Sequence, residues 1–243
     1  MTRAYRLTQT VILAALGAFL GWKLWTGEVF FYINERFQPL IVFGTAAALA
    51  LAAGAAWMAL RRAPEHDHAH APARFPFGSV LFAALPLLLG LAVPARPLGA
   101  SAIDNKGLNT SPPLTVSGGP AVPLDIAPQE RTILDWVRAF NYADDVARFH
   151  DQPADVVGFV YRRPDLGDTR FMVGRFVVTC CAADASGVAM LVDWPDAAQL
   201  AENAWVRVRG PVRAAELNGQ PIPLIAAVSV EPTEQPEHPY MYP

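Results

Sequence analysis

The hydrophobic pattern divides the chain into two regimes. Three stretches lack any charge: Leu7 to Trp22, Phe37 to Leu60 and Phe75 to Ala95. The second and third are long enough to cross a hydrocarbon core, which takes about 20 residues. The first is shorter and ends at Lys23, which can snorkel toward an interface where Trp22 and Trp25 fit an aromatic belt. No small-x-small cleavage site precedes Gly27, so this stretch reads as a retained anchor rather than a signal peptide. From Ala154 onward the apolar period becomes two. It predicts strands near 155–162, 170–180, 188–194, 205–213 and 223–230, with a short helix over 195–204. Gly158 and Gly210 interrupt their runs as bulge or corner residues do.

Basic residues orient the spans. Arg3 and Arg6 precede the first, while Arg61, Arg62 and Arg74 lie between the second and third; Arg36, between the first two, is balanced by Glu28 and Glu35. Positive-inside reasoning places the N-terminus and the loop 61–74 in the cytoplasm, and everything after Ala95 outside. The expected organisation is a three-span transmembrane domain over 1–95, an extended Gly/Pro/Ser/Asn-rich linker over 96–124, and an extracytoplasmic domain over 125–243. The outer domain opens with a helix: Pro128 sits near the first turn, Glu130 beside the positive end, and Ile133, Leu134, Val137 and Phe140 form the apolar face. Five strands, with a helix between the third and fourth, follow the element order of a small OB-like β-barrel. The fold class is therefore a membrane-anchored α + β protein; a five-stranded sandwich of other connectivity is the alternative.

Composition sharpens this division. Of 243 residues, 53% are hydrophobic and 17% charged. Residues 1–96 carry 8 basic and 4 acidic residues, whereas 97–243 carry 11 and 18. An acidic outer region argues against a nucleic-acid partner. The spans hold too few polar groups to form a transport pathway alone, and the Ala- and Gly-rich run from Phe43 to Ala56 offers small residues for close packing on another helix.

The chain has two cysteines, adjacent at Cys180 and Cys181 and followed by Ala-Ala-Asp184. On a regular strand they would point to opposite faces, so a shared site requires the strand to end or bulge there. Ala182 and Ala183 permit a turn, which would bring Asp184 up as a third ligand or as a base that adjusts the thiols. The readings are a reversible vicinal disulfide, a soft-metal or metalloid site, a bridge to a partner chain, or two small buried side chains at a strand end. A second ligand-like run, with His66, His68 and His70 beside Glu65 and Asp67, suits a divalent cation loosely or a solvated cytoplasmic loop. Arg162, Arg163, Arg170 and Arg175 near Asp165 and Asp168 read as solvated strand ends with weak salt bridges. Trp194 and Trp205 read as caps of the barrel core, and Tyr240 and Tyr242 as a tail packed on the domain or on a partner. There is no phosphate loop, nucleophile elbow or His-Glu-x-x-His, and His150 and His238 are not paired with either cysteine by spacing. The chain reads as non-catalytic.

Several segments resemble the YcgQ-like bacterial membrane proteins: Gly27-Glu-Val-Phe-Phe-Tyr-Ile-Asn34, Arg36-Phe-Gln-Pro-Leu40, Val157-Gly-Phe-Val-Tyr161, Phe176-Val-Val-Thr-Cys-Cys-Ala-Ala-Asp-Ala185, Trp205-Val-Arg-Val-Arg-Gly210 and Pro239-Tyr-Met-Tyr242. The similarity spans nearly the whole chain, although the first span is short and interrupted by Lys23. It implies the smaller subunit of a two-component permease in the bacterial plasma membrane, with a larger multi-span, YcgR-like partner. Because it points to transport, it ranks soft-metal contact first among the readings of the cysteine pair.

Overall fold

The computed structural model describes residues 3–61, 77–108, 126–217 and 219–242. The chain divides into two compact units, Met1–Arg96 and Pro97–Pro243.

The first unit is helical. Helix α1 (Arg3–Trp25) contains the segment Leu7–Trp25, and α2 (Gln38–Leu60) makes up most of the segment Glu35–Ala59; both segments are long and apolar enough to cross a membrane. Between them the chain makes two short 3-10 turns, the second started by Asn34, whose side chain accepts the Arg36 N–H. The third charge-free stretch forms α3 (Phe77–Ala92), 16 residues with Pro86 inside. At 1.5 Å per residue it reaches about 24 Å, short of the ~30 Å of a hydrocarbon core. Helix α1 packs on both others, Gly17 meeting Leu49 of α2 and Phe19 meeting Gly90 of α3. Lys23 pairs with Glu28 and sits 4.5 Å from the Trp22 ring centre, so the charge that interrupts the first span is neutralised within the unit. On α2 the small residues Ala46, Ala50, Ala53 and Gly54 remain exposed.

Among the described residues, the second unit is a mixed sheet carrying two α-helices. Helix α4 (Ala100–Lys106) buries Ala100 and Ile103, so the stretch expected to be an extended tether begins with a packed helix. Its Gly, Ser and Asn content concealed the two anchoring positions. The rest of that stretch, from 109 on, lies outside the described residues. Helix α5 (Ile133–Asn141) begins at Thr132 with a capping box, in which Thr132 and Asp135 each satisfy the other's backbone N–H. Pro128 and Glu130 belong to a separate 3-10 turn just before it.

Among the described residues seven strands follow: β1 (Pro153–Tyr161), β2 (Arg170–Val177), β3 (Ser186–Asp193), β4 (Trp205–Leu217), β5 (Gln220–Ala226), β6 (Ser229–Pro232) and β7 (Tyr240–Met241). They are ordered β1-β2-β3-β5-β4-β6, and β1 also pairs with β4. The β3–β5 pairing is parallel; the others along this path are antiparallel. β7 adds in parallel to β2.

Three elements differ from expectation. The run expected over 223–230 divides into β5 and β6, because the Ala227 N–H turns to Asp193 and the Val228 N–H to Arg209. β4 consequently changes neighbour along its length, pairing with β6 up to Arg209 and with β5 from Val212. The expected helix over 195–204 shrinks to one 3-10 turn, Ala197–Gln199, held by the Ala198 N–H on the Asp168 carbonyl. β2 stops at Val177 instead of reaching Cys180, since the Thr179 and Cys180 N–H groups are taken by the Asp184 carboxylate.

Two apolar clusters fill the unit. One sets α5 and Phe149 against the sheet through Val160, Val173, Met190, Val208 and Ile225. The other sets α4 against the sheet through Phe159, Met172, Phe176 and Tyr240. On the outer side of β1 and β4, Asp155 takes a bidentate ion pair from Arg207 and a third contact from Arg209. Arg207 chiefly holds its carboxyl below the usual range.

Candidate functional site

The cysteine pair lies where β2 has ended, so the geometric condition for cooperation is met. Cys181 precedes a 3-10 turn over Ala182–Asp184, and that turn folds Asp184 back on the strand end. The Asp184 carboxylate accepts the N–H of Thr179 at 3.0 Å and that of Cys180 at 2.7 Å, and the Asp184 N–H donates to the Cys181 carbonyl at 3.0 Å. The two sulfurs are 3.7 Å apart and both thiols are free. Cys180, Cys181 and Asp184 bring one ligand atom each to within 4.8 Å of the others. Among the described residues, this is the group of three His, Cys, Asp or Glu side chains that converges in this way.

The turn is also held from outside. Lys106, the last residue of α4, donates to the Ala183 carbonyl at 2.8 Å. The same helix is fixed by Asp104, which accepts the Tyr161 hydroxyl at 2.8 Å, and by the Ala100 N–H on the Asn203 side chain. Lys106 and Ala183 are 77 positions apart. No local pattern signals that partnership; it follows only from α4 packing beside β3, where Leu108 bridges to Gly187.

The electrostatics favour a protonated Cys180. The hydrogen bond from Cys180 to Asp184, and then its contact with Cys181, push the Cys180 thiol up to about 11. Partial burial raises the Asp184 carboxyl, but the Cys180 thiol and the backbone N–H groups outweigh it, and the net shift is downward. A thiol held protonated at neutral pH is a weak nucleophile, which counts against rapid thiol–disulfide exchange.

The remaining predicted residues are dispersed. Arg163 pairs with Asp165, Arg170 with Asp193, and Arg162 with Glu202 and the Ala198 carbonyl, around a polar cleft of about 280 Å³. Arg175 behaves differently from the other three: its guanidinium donates to the carbonyls of His238 and Pro239, and lies over Trp205. Its partial burial lowers its pKa. Arg175 thereby fastens the tail, whose Tyr240 is buried and accepts the Leu98 N–H. Trp205 packs edge-on to Phe159, and Trp194 lies against the other cluster, as core caps do. His66, His68 and His70 lie outside the described residues.

Comparison with known proteins agrees with the architecture. Residues 8–109 match the DUF1980 N-terminal domain and residues 132–243 the DUF1980 C-terminal domain. A Streptococcus mutans serotype c protein named "Putative two-component membrane permease complex subunit" is 24% identical, over 89% of this chain and 92% of its own length. No solved structure matches. With both domains present in order, the chain belongs to the DUF1980 family, in keeping with its resemblance to the YcgQ-like proteins.

Proposed function

We propose that this protein is a non-catalytic accessory subunit of a bacterial membrane permease, whose C-terminal domain gates, or presents ligand to, a larger multi-span partner. The observation that carries this reading is the likeness to the Streptococcus protein, which extends over almost the full length of both chains. It is supported by two helices of membrane-spanning length and composition. In this reading α3 completes a third span together with its flanking residues, the N-terminus faces the cytoplasm, and the C-terminal domain lies outside. The exposed seam of Ala46, Ala50, Ala53 and Gly54 on α2 is suited to close helix packing, which depends on small residues in a lipid environment. The C-terminal domain is an OB-like barrel in this account. Its support is the cycle of pairings β1-β2-β3-β5-β4 and back to β1, with β3 and β5 parallel.

Co-isolation tests the subunit role. Tagged protein drawn from its native membranes in mild detergent should carry a multi-span membrane protein in near-stoichiometric amount, identified by mass spectrometry. Recovery as an isolated monomer in that detergent would contradict the proposal.

A further inference from the structure

The 3.7 Å between the sulfurs of Cys180 and Cys181 is informative in itself. A tetrahedral ion with Zn–S bonds of about 2.3 Å holds two sulfurs roughly 3.8 Å apart. A disulfide needs about 2.05 Å. Two free thiols in contact stand at this distance, and it lets both sulfurs meet one ion with little rearrangement. Asp184 is already positioned by two backbone N–H groups, one on each carboxylate oxygen. When an ion displaces the Cys180 thiol proton, the carboxylate lone pair that accepted it is left to meet the cation. Lys106 steadies the turn through the Ala183 carbonyl, so little ordering is left for the ion to impose.

Ligand chemistry narrows the class. Two thiolates and one carboxylate prefer a borderline-soft divalent ion over Mg²⁺ or Ca²⁺, which favour oxygen donors. Structural zinc sites are closed by four protein ligands, whereas a three-ligand set keeps one position open. Cys180 and Asp184 are also solvent-exposed, as suits an ion that enters and leaves. We propose that Cys180, Cys181 and Asp184 form an open, three-ligand site for a thiophilic divalent cation of the Zn²⁺ or Cd²⁺ class. On binding, the thiols release their protons to solvent and water occupies the fourth position. This inference stands independently of the permease role, because it concerns binding by the isolated chain.

The test is a Cd²⁺ titration of the full chain in detergent, reduced and shown by labelling to hold two accessible thiols. The expected result is a sulfur-to-cadmium charge-transfer band that saturates at one ion per chain and is unaffected by excess Mg²⁺. Cys181→Ser should weaken binding by at least about 10-fold, and Asp184→Asn by about 10-fold with the band retained. Asp184→Asn also loosens the turn, so Cys181→Ser decides: its side chain holds none of the turn's backbone. Absence of a band in the parent protein, or unchanged Cd²⁺ affinity in Cys181→Ser, overturns the proposal.

Discussion

Gly210→Ala is expected to destabilise the C-terminal unit by about 3 kcal/mol or more, at the upper end of what overpacking costs. A Cβ at this position would lie 2.2 Å from the Ala226 carbonyl oxygen and 2.9 Å from its carbon. Both are backbone atoms, so no side-chain rotation relieves the clash. The contact occurs where β5 gives way to β6 and β4 changes partner, and yielding there would break the Ala227–Asp193 and Val228–Arg209 hydrogen bonds. Melting of the full-length variant, followed by tryptophan fluorescence, should fall by about 10 °C for a unit of this size. A melting point equal to the parent's would show that the β4–β5 crossing is looser than described.

Trp136→Ala should cost about 3–5 kcal/mol, the range for removing a fully buried large aromatic side chain. Trp136 is 0% exposed and anchors the nine-residue α5 to the sheet. Its ring meets Phe149 edge-on at 6.2 Å between centres, and the Arg131 guanidinium covers it at 4.8 Å. Among the described residues its buried indole N–H has no hydrogen-bond partner. Trp136→Phe therefore removes an unsatisfied donor while keeping an aromatic ring, and should cost much less than the alanine variant. Denaturant unfolding of the three proteins checks the order. Equal losses for the two variants would mean that the indole N–H does have a partner.

These two positions also show where the sequence was informative. The period-two pattern located β1 to β4 within a few residues, because each of these strands buries at least one face and its apolar residues must alternate or run continuously. Gly210 stood out for the same reason, as a bulge or corner residue; the close approach of the Ala226 backbone came only with the structure. The division of β5 from β6 was not legible, since it depends on carbonyls of Asp193 and Arg209 supplied from other strands. Helix α4 was missed because only Ala100 and Ile103 bury within a segment of linker-like composition. For the candidate site, the sequence supplied all three side chains and the requirement for a turn. It did not supply Lys106, whose role depends on packing between distant segments. Nor did it supply the convergence of all three ligand atoms to within 4.8 Å.

If the chain is a permease subunit, the small-residue seam of α2 is where its helical unit should meet the partner. A photo-crosslinking residue introduced at the exposed position Ala50 tests this most directly in living cells. The expected result is a light-dependent adduct between this chain and a larger multi-span membrane protein. Crosslinking from Ala50 to lipid alone, with the chain otherwise unattached, would contradict it.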